Sequence, residues 1–127
     1  MTKIGMIRCE KNEHKCPLTN CIKSYDQTIQ GFSGYDECSL AGVFTCRCPG
    51  ENFTEMVKIL KAKGAESVHV TTCSFSKKEA DGWKLGNGFC DKIDELAGNA
   101  ASEAGIPVTK GTAHLPEGYI PEVFKSF

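Results

Sequence analysis

A chain of 127 residues with a formal net charge of −1 is expected to form one domain, residues 1–127, large enough to bury its own core without a disulfide or metal to hold it folded. Its charges are well mixed, which excludes a basic face for nucleic acid and an acidic tail. No apolar core of signal-peptide length stands at the N-terminus and no stretch approaches a membrane span, so the expected setting is cytoplasmic, with no membrane partner.

Eight cysteines are many for such a chain. In a reducing compartment they point to metal binding or thiol chemistry before disulfides. A single cysteine is as often a small buried hydrophobe. Six of the eight, however, fall at expected turns or element ends.

Residues 3–9 read as a short first strand, with Ile4, Met6 and Ile7 apolar and Cys9 last. A charged loop closes on Cys16 and Pro17. Proline suits the first helical position, which places Cys16 at the N-cap. Leu18, Cys21, Ile22, Tyr25 and Ile29 then form one helical stripe, on which Cys21 is expected to pack, and Gly31 and Gly34 end the helix. Residues 38–46 give a second strand, apolar on both faces as a strand covered by two helical layers would be, with Cys38 a core thiol at the end opposite Cys46.

After Cys46-Arg47-Cys48-Pro49-Gly50, a stripe of Phe53, Met56, Val57 and Leu60 marks a second helix ending at Gly64. Residues 68–73 are a third strand ending on Cys73, with His69 a satisfied mid-strand histidine and no ligand. Residues 74–88, which hold the only tryptophan, Trp83, form the one long irregular segment, and a loop of that length is functional or mobile. Cys90 opens a third helix striped by Ile93, Leu96, Ala97, Ala100 and Ala104 and capped by Gly105. Residues 106–114 give a fourth strand ending on His114, and the tail, 115–127, lies across the body.

Strand and helix alternate, which calls for right-handed crossovers and a three-layer α/β fold: an open, mostly parallel, four-stranded sheet of flavodoxin-like type with helices on both faces. Parallel strands share one carboxyl edge, where open α/β proteins bind their ligands. Cys9, Cys46, Cys48, Cys73 and His114 are expected there as strand ends, and Cys16 and Cys90 join them as helix starts. Thiolates bind zinc, copper(I) and iron–sulfur clusters. The chain's two arginines, Arg8 and Arg47, each adjoin one of these cysteines, and a fixed positive charge there would lower thiolate pKa values and offset the charge of the site.

The pieces Ile7-Arg8-Cys9, Cys16-Pro17-Leu18-Thr19-Asn20-Cys21, Thr45-Cys46-Arg47-Cys48-Pro49-Gly50, Thr72-Cys73, Cys90 and Gly111-Thr112-Ala113-His114 together resemble the CGGC domain. This is a family of small cysteine-rich proteins found largely in anaerobic bacteria and archaea. The resemblance spans residues 4–114 and implies a metal-binding role, usually with zinc. The chain departs from the family's central Cys-Gly-Gly-Cys by having Cys-Arg-Cys, one residue shorter.

The leading expectation is a metal-binding protein holding zinc or an iron–sulfur cluster at this rim, in metal handling or electron transfer. One alternative is a thiol-based redox enzyme with Cys46 as nucleophile and Cys48 or Cys73 as the resolving thiol. Another is an interaction module whose metal site is structural.

Overall fold

The computed structural model describes residues 2–13, 15–47, 50–86 and 88–125, with Asn12 described by its backbone alone. In chain order the elements are β1 (Thr2–Cys9), α1 (Thr19–Gln27), β2 (Cys38–Cys46), α2 (Phe53–Ala62), β3 (Ser67–Val70), β4 (Ser76–Glu79), β5 (Gly82–Leu85), α3 (Ile93–Ala104), β6 (Val108–Lys110) and β7 (Glu122–Phe124), with short 3₁₀ turns at Glu10–Asn12, Gln30–Phe32 and Thr72–Ser74.

Strand pairing is set by the apolar run of β1, which is buried from Ile4 to Ile7 and therefore central. It pairs in parallel with β2 on one side and β3 on the other, and β3 pairs in parallel with β6. The sheet order β2-β1-β3-β6-β7 is that of a doubly wound, flavodoxin-like sheet, whose strand order reverses between β1 and β3.

The alternation of β1 divides the core into two layers. Ile4 and Met6 face α1 and Phe32, with Leu18 beside them. Ile7 faces the larger cluster, where Phe53, Val57 and Leu60 of α2 meet Ile93, Ala97 and Ala100 of α3. Burying a side chain of the size of Val57 or Leu60 contributes roughly 1.5–3 kcal/mol. Gly5 shares that face because α2 lies directly on it: a Cβ there would stand 2.7 Å from Leu60 Cδ1.

Several differences from the sequence-based expectations follow from tertiary context. β2 is packed by α1 on one face and α2 on the other, but it is an edge strand and only half-buried, with Val43 exposed, because the chain crosses to the far side of β1 after α2 and leaves β2 outermost. Residues 76–85 are not irregular but form an antiparallel hairpin, β4 on β5, with Gly82 at φ +125 directly after Asp81. β4 is polar throughout and β5 offers only Trp83 and Leu85 in alternation, too short a run to mark a strand, although Asp-Gly is a hairpin signal. The sheet has five strands rather than four, since the tail adds β7 antiparallel to the edge of β6. Tyr119 fastens that tail by donating its hydroxyl to the Lys110 carbonyl at 2.9 Å, and Lys110 Nζ bonds Asp94 at 2.6 Å.

α1 begins at Thr19 after Leu18, which is left-handed at φ +66, so Cys16 and Pro17 precede the helix and Cys16 is not its cap. The helix ends on Thr28 at φ +50 rather than at a glycine. Its buried face is also turned from the expected stripe: Ser24 is buried while Ile22 and Ile29 are exposed. Finally, β3 and β6 stop early, so Cys73 lies in a 3₁₀ turn, His114 lies four residues beyond its strand and Cys90 lies three residues before α3.

His69 behaves as expected and is buried in mid-strand. Its Nδ1 donates to the Gly111 carbonyl at 2.9 Å, which leaves Nε2 to accept from the Tyr35 hydroxyl at 2.8 Å. Burial lowers its pKa to about 4. Cys38 also stands where it was expected, near the start of β2, partly buried against the smaller core cluster, and burial raises its thiol pKa.

Candidate functional site

The carboxyl edge is assembled from strand ends in register. Cys9 and Cys46 are the last partners of the β1–β2 ladder, and Cys9 is buried. The loops beyond them are tied together by Arg47, whose Nη1 lies 3.3 Å from both Glu10 Oε2 and Glu13 Oε1. The charge of Arg47 is thus met by two carboxylates. Arg8 donates from Nη2 to the backbone carbonyl of Cys16, which holds the loop before α1 against β1. Both arginines position the loops that carry thiols.

The expected single rim is divided by β1 into two clefts. The first, about 190 Å³, opens on the α2 and α3 side and is lined by Cys9, Cys46 and Cys90 over Ile7, Phe53, Val70 and Leu96, with Lys11 and Lys92 also in its wall. Lys11 Nζ donates to the Phe89 carbonyl at 3.3 Å and so joins the turn after β1 to the segment before Cys90. Gly50 is required here for two reasons. It stands at φ +85, and a Cβ on it would lie 2.8 Å from Leu96 Cδ1.

The second cleft, about 110 Å³, opens on the α1 side and is lined by Cys16, Cys21, Cys73 and His114, with Arg8, the shared Cys9 and Trp83 of the hairpin also in its wall. Two loops are stitched together here, since the backbone N–H of Thr72 donates to Thr112 Oγ1 at 3.3 Å and that of Thr112 to Thr72 Oγ1 at 3.2 Å. Thr112 Oγ1 also lies 3.1 Å from Cys21 Sγ, and Thr71 Oγ1 lies 3.4 Å from Cys73 Sγ. Burial raises the Cys21 thiol pKa, the nearby Cys73 and Cys16 thiols push the same way, and the Thr112 hydrogen bond opposes them.

His114 is left-handed at φ +53, and its ring stacks on Trp83 with centroids 5.2 Å apart and planes 10° from parallel. Asn20 Nδ2 donates to its Nε2 at 2.9 Å, so the ring proton sits on Nδ1. Burial, with Lys78 nearby, holds its pKa below the ordinary value.

Of the expected site residues, Cys9, Cys46 and Cys90 thus share one cleft, while Cys16, Cys73 and His114 share the other. Cys48 lies outside the described residues. Cys21 packs against the smaller core cluster as its helical stripe predicts, and it also lines the second cleft, which the stripe alone does not reveal. The five-residue spacing of Cys21 from Cys16 was the available signal.

Among the described residues, no three Cys, His, Asp or Glu side chains are grouped closely enough to hold one ion. The donor chemistry of the first cleft nonetheless suits a soft metal, since it collects thiols within apolar walls. Among the described residues no helix is long and apolar enough to cross a membrane.

A protein-family model described as the CGGC domain matches residues 3–113. A protein of Methanocaldococcus jannaschii, itself described as uncharacterized, is 33% identical over 122 residues, which cover 89% of this chain and 88% of that one. No solved structure matches significantly.

Proposed function

We propose that this chain, which belongs to the CGGC-domain family, is a metal-binding protein that takes zinc or an iron–sulfur cluster in the first cleft, through Cys9, Cys46, Cys90 and Cys48. The observation that carries this reading is the collection of three thiols from three separate segments on one apolar cavity at the end of the central strand. Cys48, two residues beyond Cys46, is the fourth donor of the set. Four thiolates suit a closed zinc site or a cluster, and three would leave zinc an open position.

Zinc would supply a Lewis acid there and a cluster one-electron transfer. The chain's own contribution is to offer the thiols within apolar walls, where Lys11 and Lys92 outnumber Asp91 and so partly offset the charge of their thiolates. The body has its own core on both sides of the sheet, so metal is cargo or cofactor and not a staple. Metal handling and electron transfer are the roles that fit.

Elemental analysis and a visible spectrum of anaerobically purified protein test this. The expected result is stoichiometric zinc, or iron with acid-labile sulfide and charge-transfer absorption, lost in Cys90→Ser. Protein that carries neither metal, or a Cys90→Ser chain that keeps all of it, overturns the assignment. Chelated protein is expected to keep its far-ultraviolet circular dichroism.

A further inference from the structure

Cys73 lines two hollows at once. Behind it lies the second cleft with Cys16 and Cys21. In front of it lies a broad groove of about 690 Å³ walled by Lys15, Lys77 and Lys78 with Trp83 and Phe89, and no Asp or Glu is among its described lining residues. One sulfur therefore stands at the junction of a cationic entrance and a chamber holding further thiols.

We propose that this second cleft is a dithiol exchange site for anionic low-molecular-weight disulfides, with Cys73 as the attacking thiol and Cys21 as the resolving one. Neither of these two thiols belongs to the metal set proposed above, although Cys9 of that set lines both clefts.

The groove supplies the recognition. Three lysines around a pocket with aromatic walls attract a small molecule bearing carboxylates and set its sulfur against Cys73. The threonine lattice supplies the positioning: Cys21 Sγ is held at Thr112 Oγ1, and Thr112 is bonded in turn to Thr72, the neighbour of Cys73. Burial disfavours the Cys21 thiolate, which suits Cys21 to the second, intramolecular step and not to first attack.

The chemistry balances as follows. The Cys73 thiolate attacks one sulfur of RS–SR, forming a Cys73–SR mixed disulfide and releasing RS⁻, which takes a proton from water. Cys21 loses its proton to solvent and attacks the Cys73 sulfur, breaking that bond and releasing the second RS⁻. The second RS⁻ is protonated by water as the first was, so the net change is two RSH formed and one Cys21–Cys73 disulfide; run in reverse, two RSH reduce that disulfide and leave as RS–SR.

The test exposes the reduced full-length chain to glutathione disulfide, which is anionic, or cystamine, which is cationic. Each rate is normalised to that of a free cysteine peptide, and the products are mapped by peptide mass spectrometry. The expected result is a Cys21–Cys73 crosslink, formed with glutathione disulfide at least about tenfold faster than with cystamine at low salt. The preference should collapse in Lys77→Glu/Lys78→Glu. Cys21→Ser, with its fold checked by circular dichroism, should accumulate glutathione on Cys73. Cys90→Ser should leave the exchange unchanged, which separates this site from the metal cleft. A crosslink elsewhere, or none, overturns the dithiol assignment, and equal normalised rates overturn the anionic partner.

Discussion

The two clefts beside the end of β1 share Cys9 and hold their other thiols in different ways. In the first, Cys46 and Cys90 border an apolar floor provided by the layer in which α2 and α3 meet. In the second, Cys21 and Cys73 are each within reach of a threonine hydroxyl, a stacked Trp83–His114 pair closes one wall, and a lysine-lined groove opens beside it. One sheet edge thus presents the same side chain in two environments. Thiols gathered over apolar walls suit a soft metal, whereas hydroxyls and nearby lysines favour thiol–disulfide exchange.

The sharpest way to break this comparison is to remove the support of one cleft alone. Phe32 is wholly buried beneath α1, with its ring centroid 4.3 Å from that of His69. Phe32→Ala is expected to cost about 3–5 kcal/mol in urea unfolding. In protein that stays folded, it should speed alkylation of Cys21 while leaving the metal content of the first cleft unchanged. Equal disturbance of both clefts would show that they are one unit.

His69 sharpens the same contrast through pH. It holds its neutral form in the fold, with a pKa of about 4 against an ordinary 6.5, so the unfolded chain binds the proton more readily between those values. The stability this contributes is full above pH 6.5 and is lost as pH falls towards 4, in total roughly 3 kcal/mol. Urea midpoints measured from pH 7 to pH 4 should fall accordingly, and His69→Gln should flatten the decline.

On the other side, Gly50→Ala places a methyl group against Leu96 at a left-handed position. It should cost roughly 1–3 kcal/mol and lower metal content without altering the thiol exchange of Cys73. The smallest effect is expected of Arg47→Ala. Its two ion pairs are solvent-exposed, so stability should change by less than about 1 kcal/mol in the same denaturation assay. A much larger loss would mean that this clip, and not the core beneath it, holds the first cleft together.

The helices α2 and α3 were legible because their stripes are regular and their apolar faces meet only the core: Phe53, Met56, Val57 and Leu60 in one, and Ile93, Ala97, Ala100 and Ala104 in the other, are all buried. α1 was legible in existence but not in phase, since a left-handed Leu18 reset its start and put Ser24 inward. The hairpin at residues 76–85 is hard to read from sequence because it buries little and its apolar alternation is confined to Trp83 and Leu85.

Local pattern alone determined the alternation of strands and helices, the parallel sheet with its shared carboxyl edge, and the gathering of Cys9, Cys46, Cys73, Cys90, Cys16 and His114 near that edge. These features depend on periodicity and chain direction, which the sequence carries residue by residue. Only the tertiary structure decided which side of β1 each of these side chains occupies, brought Cys21 beside Cys16 and Cys73 and laid Trp83 on His114. Those outcomes depend on where loops cross the sheet and on which face each one packs, and such contacts join residues as far apart as Cys21 and Thr112.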